Sequence, residues 1–136
     1  MAVQLSEALA NALLNQYEIE IGTAPILRIY DLTAGAPANC AAAITATLLA
    51  ELTLPSDWLA AASAGSKALA GTWEDLSANA GGVADFYRIY KSDGTTCVEQ
   101  GTITLTGGGG DMTVDNTNVA TTQVVTVTSF IKTLPV

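Results

Sequence analysis

Groups that attack, titrate or bind charge are few in this chain, and their spacing is poor for chemistry. Histidine is absent, which removes the commonest general base and the Ser-His and Cys-His nucleophile pairs. Cys40 and Cys97 lie far apart, with no basic neighbour in sequence to lower a thiol pKa. Without histidine and without ligand-like spacing they do not suggest a zinc site. Buried free thiols are the favoured reading, and a disulfide formed after release from a reducing cytoplasm is the alternative. Glu74-Asp75 is the only adjacent acidic pair, and neighbours on an extended chain point apart, which suggests a solvated surface. Gly107–Gly110 is followed by Asp111 and Met112 rather than by the Lys and Ser/Thr of a phosphate loop. That run reads as a hinge between strands. Asp111, Asp115 and Asn116 carry oxygen donors, but their spacing is not that of a twelve-residue calcium loop, and a turn explains them. The expectation is a protein without enzymatic activity, cofactor or metal.

Composition narrows the partners. Only 13% of residues are charged, while 49% are hydrophobic, so much of the surface must be Thr, Ser, Asn, Gly and Ala. Such a surface is weakly hydrated and suits contact with protein neighbours. Thirteen acids against five bases give a net charge of −8, and Arg28, Lys67, Arg88, Lys91 and Lys132 are scattered along the chain. Nucleic-acid binding needs cations collected on one face, so neither nucleic acid nor an anionic membrane is expected. No apolar run approaches the length of a membrane span, and the N-terminus lacks the pattern of a secretory signal. Synthesis in the cytoplasm is the expectation.

The elements that would position any site follow from periodicity. Residues 5–21 recur at helical steps through Leu5, Leu9, Leu13 (or Leu14), Tyr17 and Ile21, with Ser6 as cap, Glu7 in the first turn and Gly22 as stop. This segment is either a core-packing helix or an arm, residues 1–22, that docks on a partner. Beyond Pro25 the period becomes two. Strands are expected at Ile26–Thr33, Thr47–Leu54, Val83–Lys91, Thr95–Leu105, Met112–Val114 and Gln123–Ile131. Asp93-Gly94 predicts a type I′ hairpin, and Gly101 inside a strand predicts a bulge or a close backbone approach. Residues 60–82, rich in Ala, Ser and Gly, break every period and read as a long loop anchored by Trp58 and Trp73. A structureless loop of that length needs a job, which makes it a candidate contact region. The expected fold is mainly β: a β-sandwich or jelly-roll-like domain of six or seven strands over residues 23–136, with one N-terminal helix and a single domain in all.

Taken in order, LSEALANALL, PILRIY, APANCAAA, LPSDWLAAASAGSKALAGTW, FYRIYKSDGTTCVEQGT and GGGGDMTVDNTNVATTQVVTVTSF resemble a group of short virion-associated structural proteins of tailed phages and prophages. The resemblance spans nearly the whole chain, and its glycine-rich ending is the most distinctive part. It implies a location in the virion, and by analogy with small, acidic, β-rich proteins it implies a capsid decoration or cement protein. The partners would then be the major capsid protein or other virion proteins, with a homo-oligomer, a trimer first, as the expected state. A tail, connector or baseplate subunit is the second reading, and a carbohydrate-binding host-recognition module is the third. Expected interface residues are Trp58 and Trp73, since tryptophan is enriched at hot spots, together with Leu9, Leu13 and Tyr17 on the helix. For the two tryptophans a plain core role stays open.

Overall fold

Alternation decides most of the architecture. In a computed structural model describing residues 1–136, one helix, α1 (Glu7–Ile21), precedes nine strands. These are β1 (Ile26–Asp31), β2 (Leu48–Thr53), β3 (Ser66–Ala68), β4 (Glu74–Asp75), β5 (Gly82–Tyr90), β6 (Cys97–Leu105), β7 (Met112–Val114), β8 (Asn118–Val119) and β9 (Val125–Thr133). The domain is mainly β with an N-terminal helix, as the sequence predicts. The strands run β2-β1-β5-β6-β7-β9-β3, with β4 joined to β9 and β8 to β5. The layers expected of a sandwich are the two ends of one curled sheet, and they enclose a single core cluster of 21 residues.

Within β1 and β5 the two faces separate cleanly. Leu27, Ile29, Tyr87 and Ile89 point to the core, while Arg28, Tyr30, Phe86, Arg88 and Tyr90 take the alternate positions. The segment between β1 and β2 lies over this outer face, where Arg88 donates to the carbonyls of Asn39 and Ala42. Contrary to the favoured reading of free thiols, Cys40 and Cys97 form a disulfide with Cα atoms 5.6 Å apart. Their sequence separation of 57 hid that proximity.

The segment read as a long loop, 60–82, is a clasp instead. β3 pairs with Ile131–Thr133 and β4 with Val125–Thr126, so the segment follows the open edge of β9. The same stretch reaches the other end of the sheet, where Glu51 N–H donates to Asp75 Oδ2 (3.0 Å) and Asn79 N–H to the Leu49 carbonyl (2.7 Å). Unpaired strand edges recruit backbone whatever its side-chain period. Glu74 and Asp75, expected as a plain solvated pair, therefore belong to this closure.

Local details differ where geometry is tight. At the β5–β6 turn only Gly94 has positive φ, +71°, so the turn is not type I′, which needs two such residues. Asp93 holds it instead, accepting from the Thr95 and Thr96 amides and the Thr96 hydroxyl. Gly101 marks a close approach, since a Cβ there would lie 2.7 Å from the Tyr87 hydroxyl. β6 and β7 run parallel although only residues 106–111 link them, far fewer than a crossover ordinarily needs. The glycine run makes this possible by folding back over Thr104, whose hydroxyl accepts from Gly110 N–H (3.0 Å).

Candidate functional site

The helix brings three of the expected interface residues together, and the core claims the other two. Ser6 caps α1 by accepting from Leu9 N–H, and Gly22 ends it at φ +91°. The face turned inward carries Ala10, Leu14 and Ile21, with Tyr17 half-buried. This stripe is rotated one residue from the one through Leu9 and Leu13, which are 49% and 48% exposed. Beside Leu13 a groove of about 450 Å³ opens between α1 and the end of β9, lined also by Leu14, Tyr17, Lys132, Thr133 and Leu134. Trp58 and Trp73, in contrast, are 0% and 1% exposed. They sit in an aromatic row, Tyr17–Trp58–Trp73–Phe130, with ring centroids 6.1, 5.8 and 5.3 Å apart. Expected at an interface, both are core anchors in this fold.

The helix is fixed to the sheet by polar contacts, which argues against a detached arm. Trp58 Nε1 donates to the Gly22 carbonyl (3.0 Å), and Gly65 N–H donates to Asn11 Oδ1 (3.0 Å). The buried Lys67 ammonium on β3 meets Glu18 Oε2 (2.8 Å) and Asn15 Oδ1 (2.9 Å). Leu5 N–H donates to the Pro135 carbonyl, tying the two chain ends together.

Behind the groove lies a carboxylate with every partner it needs. Glu99 accepts from Tyr17 Oη (3.0 Å) and Tyr87 Oη (2.6 Å), and it pairs with Lys132. Burial, then the Glu99 charge and its hydrogen bonds, push both phenols well above the ordinary tyrosine value. They therefore stay neutral donors through neutral pH. Such a satisfied cluster joins helix to sheet. The acids considered for calcium are likewise engaged separately. Asp111 accepts from the Thr102 amide and hydroxyl, which hold its carboxyl below the usual range against the effect of burial, while Asp115 accepts from Thr126 N–H.

The opposite face of β5 and β6 carries a site that sequence reading did not find. A cleft of about 580 Å³ is lined by Arg28, Tyr30, Arg88, Tyr90 and the Cys40–Cys97 disulfide, with Ala41, Ala42 and Ile44 at its apolar side. Arg28 and Arg88 are direct cross-strand partners. Arg28 is balanced by Glu51 (2.7 Å), and its guanidinium lies 4.7 Å from the centre of the Tyr90 ring. Arg88, 4% exposed, meets only neutral acceptors: Gln100 Oε1 (3.1 Å) and the Asn39 and Ala42 carbonyls (2.8 Å each). Burial raises the Tyr90 phenol, but the Tyr30 hydroxyl and the two guanidiniums outweigh it and leave the group below the usual tyrosine value. Tyr30, buried and bonded to Tyr90, moves up. The signal was present in the sequence, because Arg28, Tyr30, Arg88 and Tyr90 share one strand parity. What it lacked was the register that sets them side by side. No family model matches the chain, and no curated protein or solved structure matches it either.

Proposed function

We propose that this protein is a non-catalytic structural component of a tailed-phage particle, and that it decorates and stabilises the capsid by protein–protein contact. The observation that carries the reading is the outer face of α1. Leu9 and Leu13 stand half exposed on a helix held rigid by Lys67, Trp58 and Gly65, beside an apolar groove. An ordered apolar ridge next to a groove binds with little loss of conformational entropy. The order of the sequence segments, the acidic balance and a disulfide able to persist outside a reducing cytoplasm support a place in the virion. Tryptophan anchors are withdrawn from the interface, and Leu9, Leu13 and Tyr17 remain.

The mechanism is linkage: a protein that binds only the assembled shell shifts the assembly equilibrium toward it, and several copies around a symmetry axis add avidity. Co-sedimentation of the purified protein with separated heads and tails tests the reading. Binding to heads that is lost in a Leu9→Ser, Leu13→Ser double variant of unchanged melting temperature is the expected result. Binding to tails alone would replace decoration by a tail or baseplate role. Binding to neither would overturn the structural reading.

A further inference from the structure

Arg88 poses an electrostatic problem that the chain does not solve. Removing a guanidinium from water costs several kcal/mol unless a countercharge compensates. The protein has thirteen acidic residues, yet none of its four ion pairs includes Arg88. Of the two cross-strand neighbours of Arg88, one is the neutral Gln100 and the other is a cation, Arg28, and like charges directly opposite are destabilising by themselves. Every fully enclosed side-chain nitrogen in the protein has a partner. Arg88 Nη1 meets no carbonyl or carboxylate of the chain; besides its three acceptors the guanidinium faces only the Tyr90 phenol, which lines the same cleft. Arg28 uses Nε and Nη1 on Glu51 and the Gly94 carbonyl, and its guanidinium also faces the Tyr30 and Tyr90 phenols.

We propose that this cleft binds a small organic anion through a carboxylate or phosphate group seated against the guanidiniums of Arg28 and Arg88. Arginine's planar fork matches both oxyanions. About 580 Å³ accommodates a body the size of a monosaccharide acid, and Ala41, Ala42 and Ile44 give that body an apolar wall. The Cys40–Cys97 bond fixes the roof, whose Asn39 and Ala42 carbonyls orient Arg88, so the site is preformed. It lies on the face of the sheet away from the α1 groove.

Inorganic phosphate, acetate and glucuronate are the probes, titrated at constant ionic strength against chloride and followed by melting temperature and amide NMR shifts. A saturable rise in melting temperature with shifts at residues 28, 39–42 and 88–90 is expected for at least one probe. A response to phosphate alone assigns a phosphoryl ligand; responses to acetate and glucuronate assign a carboxylate. Arg28→Gln, at a partly exposed position, should weaken binding about tenfold, the worth of one charge-assisted hydrogen bond. Arg88→Lys keeps the charge and loses the fork, and should weaken it at least as much. No saturable response to any probe, or binding unchanged in both variants, overturns the proposal.

Discussion

Two charged groups sit on opposite faces of the same pair of strands, and the protein treats them oppositely. Glu99, on the inner face of β6, receives two phenol protons and an ammonium. Arg88, on the outer face of β5, donates to one amide and two carbonyl oxygens, pairs with no carboxylate and faces a second arginine. Burial of a charge is tolerated when its partners come with the fold, and the Glu99 cluster is a joint between helix and sheet. A buried charge whose countercharge is missing marks a place where something from outside completes the arrangement. Both groups look alike in sequence, as single ionisable residues in alternating strands, so ionisable residues in strands are sorted by partners rather than by type.

The largest expected effect tests whether the helix is structural. Deleting residues 1–22 removes Tyr17 from Glu99, Glu18 from Lys67 and the cover over Trp58, so the truncated chain should lose its cooperative melt. A folded, cooperative β domain after truncation would return α1 to the status of an arm and break the contrast at its root.

Substituting the two charges measures the contrast directly. Glu99→Ala leaves Lys132 and two phenols without their acceptor and should cost about 2–3 kcal/mol in denaturant unfolding, since the pair is only partly buried and the lost bonds are charge-assisted. Arg88→Met removes a charge with no ionic partner and should cost less than half as much. Equal costs would mean that Arg88 is as fully compensated as Glu99.

The disulfide sharpens the comparison by acting on one face only. Cys40→Ser should lower stability by about 2–4 kcal/mol, the usual range for removing a native bridge, and loosen residues 37–42 over the cleft. Hydrogen exchange should rise there and stay unchanged around Tyr17 and Lys132. Faster exchange at both places would show that the two faces are not separable.

The smallest effect is alkaline. Tyr17 and Tyr87 titrate above their ordinary value of 10.0 in the folded protein. Their stabilising contribution is thus whole below pH 10 and is lost as pH climbs past it, because the unfolded chain releases those protons first. Stability should fall above pH 10 in the wild type and fall less steeply in Tyr87→Phe. Equal slopes would remove Tyr87 from the linkage.

Much of this was legible from the chain. Period two located β1, β2, β5, β6 and β9 to within a few residues, Ser6 and Gly22 bracketed the helix, and Gly101 announced a bulge or a close approach, which the fold makes with Tyr87. These features are local, since strand alternation, capping and crowding at a glycine involve residues near in sequence or directly across a ladder. The tertiary structure alone decided the rest. A helix with leucines at 9, 13 and 14 is apolar over a wide arc, and only the docking of α1 against β3 buries Leu14 and leaves Leu9 and Leu13 outside. The Ala/Ser/Gly stretch at 60–82 has no period of its own, so its strands exist because β2 and β9 present open edges for it to close. Cys40 finds Cys97, and Arg28 stands opposite Arg88, through the register of strands distant in sequence, which no local pattern encodes.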